Sequence, residues 1–481
     1  MRVLFISAEV APFAKVGGLA DVAGGLPKAL VKQGVDCRVI MPLYKMIETD
    51  PRWSLKQIKA RFEVKMNQEW TQSASLWEYE HDGVLHYFVG CDRWFSNAVD
   101  SSTLYQPGGD LHAFFAAAVF RACEELDWIP EVLHANDWHT GFVPVLLRER
   151  GEAKWANTAS VFTIHNLAYQ GEFDIDALDW LNLPHHLFNY HQVEAWGRVN
   201  FLKAGMAFAE KVNTVSPTYA AQIQTREYGC ALEGMTQFLA DNGSLSGILN
   251  GIDTSVFDPS NDPDIATAFS AADLSGKSTC RRALLEEVGL PFQDSAPVFG
   301  MVSRLSSQKG FDILLDAAPK LFDMGAQLVV QGLGEPAIVR GYEALQHRYP
   351  GQFRLLNVFD PSLAQRVYAG SDAFLMPSAF EPCGLGQMIA MRYGTVPVVR
   401  MTGGLMDSVF DCLNGFTFGH KSASELTAAC RRAVDVFADK PRWAEMQRQG
   451  MEADWGWDAS AAKYVELYSQ AVRTRAGHVM R

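Results

Sequence analysis

The sequence predicts an α/β protein of two domains, each with a mostly parallel sheet flanked by helices. Short apolar runs typical of buried strands, such as Val3 to Ser7 and Val298 to Val302, alternate with helical segments along the chain. Loops that contain glycine follow several of these runs and open into helices. The alternation is interrupted by a polar stretch rich in Asp, Pro and Ser from Asp253 to Ser278. We therefore place the hinge there and predict domains at 1–252 and 253–454, followed by a final helical segment at 455–481.

The first domain begins with a strand and a glycine loop. The loop runs from Lys15 through Gly17 and Gly18 to Val22 and leads into a helix. Its glycines would let a diphosphate approach the backbone, and Lys15 could neutralise the charge of that diphosphate. A pair of glycines is weak evidence when taken alone.

Antiparallel strands are predicted farther along, because the stretch from Arg52 to Asp92 alternates polar and apolar residues. A helix is predicted from His112 to Leu126 and another from Val199 to Val212. Phe353 to Phe359 is predicted to continue the sheet of the second domain.

Two strands of the first domain end in polar loops. Asp137 and Trp138 follow the strand at Val132 to His134, and such residues at a strand end can bind sugar hydroxyls and stack on a ring. The alternative is that Asp137 caps a helix and Trp138 packs in the core. His165 and Asn166 follow the next strand, where a lone histidine is more often structural than catalytic.

In the second domain, Arg304 follows a buried strand and Lys309 lies where the next helix begins. Two cations at one helix N-terminus would make a clamp for a diphosphate. The alternative interpretation is two solvated surface charges.

The stretch from Asp372 to Asp407 contains two strand–loop–helix junctions. A strand at Ala373 to Met376 precedes Glu381, and a second strand at Val396 to Val399 precedes a Thr-Gly-Gly loop. Neighbouring junctions of this kind indicate a crevice at the carboxyl ends of parallel strands. The alternatives are that Glu381 only caps the helix and that the glycines only permit tight turns.

Composition limits the classes of partner and compartment. The 481 residues are 48% hydrophobic and 20% charged, as in ordinary globular chains, with a formal net charge of −13. That charge disfavours nucleic acid and anionic membranes as partners. The eight cysteines form no CxxC pair and the N-terminus lacks a signal pattern, so we predict reduced thiols in a cytoplasmic protein. No run reaches the roughly 20 apolar residues that a membrane span needs.

The segment SAFEPCGLGQMIAMRYGTVPVV followed by TGGLMDSV resembles the donor-site segment of bacterial glycogen synthases and plant starch synthases. Members of that family are retaining glucosyltransferases with two facing Rossmann-like domains of the glycosyltransferase-B type and an active-site cleft between the domains. Ile389 stands where related retaining glycosyltransferases often carry a second glutamate, which favours this branch. Further motifs, among them the loop at Lys15 and the segment after Ser303, also resemble the family's motifs and occur in the same order along the chain.

The resemblance implies a role for each matching residue. It makes the first domain the acceptor side and the second the nucleotide-sugar side, with the last helix packing back across the first. The implied catalytic residues are Glu381, His165, Arg304 and Lys309. The implied donor-binding residues are Lys15, Gly17, Gly18, Asn166, Asn250, Phe359, Cys383, Gly384, Leu385, Thr402, Gly403 and Gly404. The implied acceptor-binding residues are Asp21, Tyr105, Asp137 and Trp138.

The implied reaction is transfer of glucose from ADP-glucose to the nonreducing 4-hydroxyl of an α-1,4-glucan, with retention. The implied partners are a nucleotide sugar and an α-glucan such as glycogen, and no metal or other cofactor is expected. Asp174 and Asp176 form a D-x-D pattern, which we interpret as surface carboxylates.

The chain departs from the family pattern at Val16, Ala379 and Gly386 and in a shorter segment after Tyr105. Two alternatives therefore stay open, a different nucleotide sugar or acceptor on the same fold and a catalytically silent glucan-binding protein. A nicotinamide dehydrogenase is weaker, since no GxGxxG follows the first strand.

Overall fold

The fold was analysed in a computed structural model that describes residues 1–105 and 107–479. The chain forms two compact units, one made of Met1–Gly251 with the residues from Trp457 onward, the other of Ile252–Gly456. Each unit has its own sheet and is described by itself.

Unit 1 is built on a nine-stranded sheet with the order β12-β11-β7-β6-β1-β2-β5-β4-β3. Its strands pair in parallel except for β3 with β4 and β4 with β5, which are antiparallel, and a small antiparallel sheet has the order β8-β10-β9. The strands are β1 Arg2–Ile6, β2 Asp36–Pro42, β3 Lys56–Lys65, β4 Thr71–His81, β5 Val84–Gly90, β6 Val132–Asn136, β7 Ala159–Ile164, β8 Glu172–Phe173, β9 Glu194–Ala195, β10 Arg198–Asn200, β11 Lys211–Thr214 and β12 Leu245–Gly247.

Helices cover the main sheet of unit 1. They are α1 Gly18–Lys32, α2 Lys45–Glu48, α3 Asp92–Phe95, α4 Asp110–Glu125, α5 Phe142–Glu149, α6 Phe201–Phe208, α7 Pro217–Gln222 and α8 Glu233–Asp241. Short 3-10 helices occupy Trp138–Thr140, Ala153–Trp155, Ile175–Leu181 and His185–Leu187. Helix α4 is buried almost all round, since every residue from Leu111 to Phe120 is buried. Apolar side chains on all faces are expected of a helix inside a large core.

Unit 2 is built on a six-stranded parallel sheet with the order β15-β14-β13-β16-β17-β18. Its strands are β13 Val298–Val302, β14 Gln327–Gln331, β15 Phe353–Leu356, β16 Ala373–Met376, β17 Val396–Arg400 and β18 Phe416–Phe418. Its helices are α9 Ser275–Glu287, α10 Phe311–Asp323, α11 Pro336–Arg348, α12 Pro361–Gly370, α13 Gly386–Arg392, α14 Gly404–Ser408, α15 Ala423–Ala438 and α16 Lys440–Glu452, with a 3-10 turn at Ser307–Lys309.

The last helix, α17 Asp458–Val479, belongs to unit 1. The Tyr468 hydroxyl lies 2.8 Å from His134 Nδ1, and Asn213 donates to the Tyr464 hydroxyl at 3.0 Å. Just before α17, the indole of Trp457 lies against Gly25 of α1, where a Cβ atom would come within 2.2 Å of its Nε1. Glycine at position 25 therefore makes room for the tryptophan.

In the main sheet of each unit, the order in which successive strands are added reverses at a central strand. In unit 1 the chain continues from β1 to β2 on one side, while β6 pairs on the other. In unit 2, β13 lies between β14 and β16 in the same way. The carboxyl ends of strands at such a switch point are where open α/β sheets bind ligands.

Two predicted elements were wrong in their extent. The helix predicted from Val199 to Val212 is divided into β10, α6 and β11, because Asn200 accepts the N–H of Lys203 at 2.9 Å and starts α6 there. The strand predicted from Phe353 to Phe359 ends at Leu356, and Asp360 caps α12 by accepting the N–H of Leu363 at 3.0 Å.

Candidate functional site

In unit 2, an ion pair between a partly exposed lysine and a buried glutamate lies beyond the carboxyl end of β16. The Nζ atom of Lys309 is 3.0 and 2.7 Å from the two carboxylate oxygens of Glu381, and the Ser378 hydroxyl donates to one of them at 3.0 Å. Glu381 is only 6% exposed. It does not cap the following helix, whose N-cap position is Leu385. The carboxylate is therefore fixed in place by its partners rather than by the helix.

The loop that carries Lys309 packs against the loop that carries Glu381 and is hydrogen-bonded to it through the backbone. Gly310 has φ of +80°, and a Cβ atom on it would lie 2.1 Å from the carbonyl oxygen of Pro377. The N–H of Ala379 donates to the carbonyl of Gln308 at 2.7 Å. These backbone contacts set the distance between the lysine and the glutamate.

Arg304 follows β13, the strand next to β16 in the sheet. Its side chain is exposed and makes no hydrogen bond or ion pair with the described residues. A guanidinium in this state is available to an anion, for which it offers a planar fork of donors.

The Thr402-Gly403-Gly404 loop contacts the glutamate loop through the backbone. Gly403 has φ of +47°, and a Cβ atom on it would lie 1.8 Å from the carbonyl oxygen of Glu381. Gly404 N donates to that same oxygen at 3.2 Å. Only glycine permits this approach at position 403, since its backbone is left-handed and has no space for a side chain.

The remaining predicted donor residues of unit 2 differ in exposure. Cys383 is buried, and Gly384 has φ of +73°. Gln387 of α13 donates to the carbonyl of Gly384 at 3.0 Å and so fixes the start of the helix. Phe359 is 69% exposed, which leaves its ring free to stack on a planar group.

In unit 1, the glycine loop is held by Glu9, a residue that the sequence analysis missed. One carboxylate oxygen of Glu9 accepts the N–H groups of Val16 and Gly17 at 2.5 and 2.9 Å, and the other accepts the Tyr105 hydroxyl at 2.7 Å. Glu9 is 4% exposed. The only signal in the sequence is an acidic residue between a buried strand and a glycine loop.

Two predicted residues pair with each other. Lys15 donates to Asp21 at 2.6 Å, and both side chains remain partly exposed. Lys15 was predicted to contact the donor and Asp21 the acceptor. The structure brings them together in one ion pair. A phosphate group that binds Lys15 could replace Asp21 as its partner.

Asp137 and His165 are joined across neighbouring strands. The Asp137 carboxylate accepts the N–H of His165 at 2.7 Å, and its side chain does not cap the 3-10 helix that follows. Burial raises the pKa of Asp137 to about 7, against the opposing effect of the N–H groups of His165 and Asn166. Asp137 also has φ of +56°, an uncommon backbone conformation for a residue with a side chain.

His165 is held as a neutral ring. Its Nε2 atom lies 2.9 Å from the Oδ1 atom of Asn136, whose amide NH2 donates to the carbonyls of Ile6 and His134 at 3.0 and 3.2 Å. Since Oδ1 can only accept, Nε2 carries the proton and Nδ1 is left as the acceptor. Burial lowers the pKa of His165 to about 3. The ring can therefore accept a hydrogen bond from a hydroxyl at neutral pH.

Tyr105 and Trp138 belong to one aromatic cluster. The ring of Tyr105 stacks on His139 at 4.6 Å and an interplanar angle of 16°, and Trp138 contacts His112 at 4.7 Å. Burial raises the pKa of Tyr105 well above 10, and the nearby charge of Glu9 adds to the effect. The tyrosine hydroxyl therefore stays protonated and is fixed as a donor to Glu9.

Asn166 and Asn250 are the last predicted donor residues. Asn166 uses its Oδ1 atom locally, to accept the N–H of Ala168 at 3.0 Å. Asn250 is 6% exposed, and its Oδ1 atom is buried without a hydrogen-bond partner among the described residues. A buried unpaired oxygen is costly, so position 250 is suited to a ligand that donates to it.

The described part of the chain holds no candidate metal centre and no candidate membrane span. No three His, Cys, Asp or Glu side chains within residues 1–105 and 107–479 form a group able to hold a metal ion. No helix among these residues is both long and apolar enough to cross a membrane. The expectation that no metal is needed stays a prediction.

Comparison with known proteins finds matches for both units. Residues 2–238 match a family model described as the starch synthase catalytic domain, and residues 286–448 match one described as glycosyl transferases group 1. Glycogen synthase from Clostridioides difficile is 42% identical over 479 residues, covering 97% of this chain and 99% of that protein. Glycogen synthase from Myxococcus xanthus is 43% identical over 494 residues, covering 98% and 100%.

A solved structure is similar over nearly the whole chain. It is the catalytic domain of starch synthase IV from Arabidopsis thaliana bound to ADP and acarbose, with a TM-score of 0.91, 33% identity and coverage of 98% of this chain and 99% of that one. Sucrose-phosphate synthase from Thermosynechococcus elongatus, with a TM-score of 0.61 and 18% identity, shares the fold. The predicted α/β class with two Rossmann-like domains of the glycosyltransferase-B type is confirmed.

Proposed function

The chain belongs to the family of bacterial glycogen synthases and plant starch synthases, and on that premise we propose that it transfers glucose from ADP-glucose to the nonreducing 4-hydroxyl of an α-1,4-glucan with retention. It is a glucosyltransferase by family. The ligands named with the Arabidopsis structure, ADP and acarbose, support a nucleotide sugar and a glucan as the classes of substrate. The proposal includes no nucleic acid and no membrane as partner.

One observation carries the proposal most directly. A buried carboxylate, Glu381, is fixed by Lys309 and Ser378 at the end of β16. Arg304, which has no ion-pair or hydrogen-bond partner in the described part of the chain, follows the adjacent strand β13. In the proposal, Glu381 is the fixed acceptor for sugar hydroxyls, Lys309 is the cation paired with it, and Arg304 is a second cation that follows the neighbouring strand at the switch point of the sheet.

The cations suit the leaving group. Departure of ADP from glucose leaves negative charge on the diphosphate, and cations already in place stabilise that charge without reorganisation. Arg304 has no partner for its donors among the described residues, and Lys309 can share its ammonium between Glu381 and a phosphate oxygen because it has three donors. The backbone N–H groups of the Gly403-Gly404 loop add to this role in the proposal.

The acceptor reacts on the same face of the sugar that the diphosphate leaves. A double displacement would need a carboxylate within reach of the anomeric carbon, and we assign none. In the proposed front-face route, the leaving phosphate takes the proton of the attacking hydroxyl and Glu381 holds a glucose hydroxyl. Cys383, Gly384 and Leu385 line the glucose, and Phe359 stacks on the base.

The groups of unit 1 orient the sugars. We assign His165, as a neutral acceptor at Nδ1, and Asn166 to the transferred glucose. Lys15 and the N–H groups near Gly18 are assigned to the diphosphate, and Asn250 to the donor through its unpaired Oδ1. Asp21, Tyr105, Asp137 and Trp138 are assigned to the glucan.

No metal or organic cofactor takes part in the proposed reaction, since Arg304, Lys309 and Lys15 supply the positive charge that the diphosphate requires. Activity in the presence of a chelator should equal activity without it. A requirement for added Mg²⁺ would contradict this part of the proposal.

The proposal is tested by release of the nucleoside diphosphate from purified protein. ADP-glucose and UDP-glucose are each supplied with and without glycogen, and the glucan product is digested with α-amylase. We expect ADP release that depends on glycogen, with new digestible glucan. Release from UDP-glucose alone would indicate another donor, and glycogen binding without release from either donor would indicate a silent glucan-binding protein.

A further inference from the structure

A row of polar side chains is buried on one face of the strands β6 and β7 in unit 1. His134 and Asn136 are two residues apart on β6, and Thr163 of β7 is two residues before His165, so each pair shares a face of the sheet. The pairs meet across the strands, since His134 Nε2 lies 2.6 Å from Thr163 Oγ1 and Asn136 Oδ1 lies 2.9 Å from His165 Nε2. All four side chains are buried. Strands in such a position are normally continuous apolar runs, so the polar row is unusual.

The direction of each hydrogen bond in the row can be assigned. The Thr163 hydroxyl donates to the Oδ1 atom of Asn213 on β11 at 2.7 Å and has no second hydrogen for His134. His134 Nε2 therefore carries a proton and donates to Thr163, which leaves Nδ1 as the acceptor of the Tyr468 hydroxyl at 2.8 Å. Burial lowers the pKa of His134 to about 3 and raises the pKa of Tyr468 well above 10. The imidazole is thus neutral and the phenol protonated.

The last helix, α17, contacts this row with two hydroxyl groups. Tyr468 donates to His134, and one turn earlier the hydroxyl of Tyr464 accepts the amide of Asn213 at 3.0 Å. Both tyrosines are completely buried. A buried network whose donors and acceptors are matched fixes one arrangement of its members. The helix therefore fixes the side chains of β6 and β11 by directed contacts and not by apolar packing alone.

Two series of hydrogen bonds lead from His134 to His165. In the first, the His134 carbonyl accepts the amide of Asn136 at 3.2 Å, and Asn136 Oδ1 accepts the Nε2–H of His165 at 2.9 Å. The second passes through Thr163, to which the ring of His134 donates. The Thr163 carbonyl accepts the N–H of Asp137 at 2.9 Å, and the Asp137 carboxylate accepts the N–H of His165 at 2.7 Å. The first series fixes the ring of His165, and the second fixes its backbone.

The amide of Asn136 has one permitted orientation. Its two N–H groups donate to the carbonyls of Ile6 and His134, so the oxygen is the atom that faces His165. The hydrogen bond at one imidazole nitrogen determines which nitrogen carries the proton. Reacting groups need such supporting hydrogen bonds to stay within about 0.5 Å of their working positions. Asn136 thus supplies what His165 needs to present Nδ1 as an acceptor.

We propose that Asn136 and Tyr468 are positioning residues for glucosyl transfer. Asn136 fixes the tautomer and the direction of the His165 ring, and Tyr468 holds Asn136 in place through His134. The inference rests on the proposed function for the role of His165. It gives the last helix, none of whose residues is assigned to a substrate, a part in the reaction.

The first test compares kcat with KM. Asn136→Leu keeps the approximate size of the side chain but cannot accept the Nε2–H of His165. We expect its kcat to fall by about tenfold or more, with less than about a twofold change in the KM for ADP-glucose. Tyr468→Phe removes a single hydroxyl and should lower kcat by about threefold, again with little change in KM. In a His165→Ala background, neither substitution should lower kcat further, because both act through His165.

The second test needs no catalysis. Correlation spectra of ¹⁵N and ¹H, recorded on the full-length protein labelled with ¹⁵N-histidine, report which ring nitrogen carries the proton. Comparison with His165→Ala identifies the signals of His165. We expect the wild type to show a neutral ring protonated at Nε2 near pH 7. Asn136→Leu and Tyr468→Phe should each alter these signals.

Arg475→Ala is the matched control, since it removes a different contact of the same helix. Arg475 donates to the carbonyl of Ala156 at 3.0 Å and makes no contact with the polar row. The Tm should fall, while kcat and the signals of His165 stay as in the wild type. A loss of kcat equal to that of Tyr468→Phe would overturn the inference, because it would show that only the attachment of the helix matters.

Two further results would overturn the inference. One is unchanged His165 signals in both Asn136→Leu and Tyr468→Phe. The other is a fall in kcat that persists when His165 has already been replaced by alanine, since the two residues would then act by another way.

The outcome is distinguishable from failure of the proposed function. Altered His165 signals in the two variants, without glucosyl transfer by the wild type, would support the positioning and contradict the proposed reaction. Transfer by the wild type, with kcat and the His165 signals unchanged in both variants, would do the reverse.

Discussion

Lys309 and Glu381 form a bidentate contact, with the lysine Nζ 3.0 and 2.7 Å from the two carboxylate oxygens. The side chain of the lysine is 21% exposed and that of the glutamate 7%. The carboxylate is therefore buried, whereas the lysine is partly accessible to solvent.

Replacing Glu381 by alanine should remove transfer while the fold remains. The carboxylate is the fixed acceptor for the donor sugar in the proposed mechanism, and we expect kcat/KM to fall by about a thousandfold or more. Nucleoside diphosphate release measures the loss, and circular dichroism checks the fold. The matched control is Glu287→Ala, which removes another ion-paired glutamate of unit 2, bound to Arg366 at 2.9 Å. Near-normal turnover of Glu381→Ala would refute the role.

Arg304→Lys should weaken donor binding. The lysine keeps the positive charge but loses the planar fork that contacts two phosphate oxygens, and we expect the KM for ADP-glucose to rise about tenfold. Steady-state kinetics at saturating glycogen provide the measurement. Arg340→Lys, at another exposed arginine of the same unit, is the control. Equal KM values for Arg304→Lys and wild type would show that Arg304 does not contact the diphosphate.

Glu9→Ala should destabilise unit 1 and disturb the glycine loop. It leaves the N–H groups of Val16 and Gly17 and the hydroxyl of Tyr105 without their acceptor, which should lower the free energy of unfolding by about 2 kcal/mol. Tyr105→Phe removes one of these three hydrogen bonds and should cost about 1 kcal/mol. Because the two residues share a contact, the double variant should lose less than the sum of the single losses. Strict additivity in denaturant titrations would contradict the shared hydrogen bond.

Asp137→Asn should change how stability depends on pH. Burial raises the pKa of Asp137 from 3.8 to about 7, so the folded protein binds more protons than the unfolded chain between these values. The contribution of Asp137 to stability is fully present below pH 3.8 and is lost as the pH rises through about 7. Asparagine does not ionise and still accepts the N–H of His165.

The stability of Asp137→Asn relative to wild type should therefore increase from about pH 4 to about pH 7 and stay level above that. Free energies of unfolding across this range provide the measurement. A difference that does not vary with pH would mean that Asp137 has an ordinary pKa in the folded protein.

Buried strands were the part of the fold that the sequence predicted best. Val298–Val302 and Ala373–Met376 match the predicted runs residue for residue. Strands covered on both faces are continuous apolar runs, which differ clearly from their flanks. The prediction of one helix from Val199 to Val212 failed because the segment is mostly apolar and shows no clear break. The helix cap at Asn200 is a single polar residue, and its effect is local.

Candidate site residues were predicted from their positions next to strand ends or where a helix begins. Glu381, Arg304 and Asp137 were predicted in the first way and Lys309 in the second, and the structure gives Glu381, Asp137 and Lys309 well-defined partners. Their roles stay predictions. Glu9 was missed because its function depends on Tyr105, 96 residues away. Three further features likewise depend on three-dimensional contacts that no sequence pattern specifies. They are the pairing of Lys15 with Asp21, the protonated nitrogen of His165 and the oxygen of Asn250 that has no partner among the described residues.

The central claim is elongation of an α-1,4-glucan at its nonreducing end with retention. The most direct measurement is incorporation of glucose from ¹⁴C-labelled ADP-glucose into glycogen, followed by digestion with β-amylase, which removes maltose from nonreducing ends of α-1,4 chains. We predict that the label enters glycogen and is then released as maltose. Label that enters glycogen but resists β-amylase, or no incorporation at all, would contradict the account.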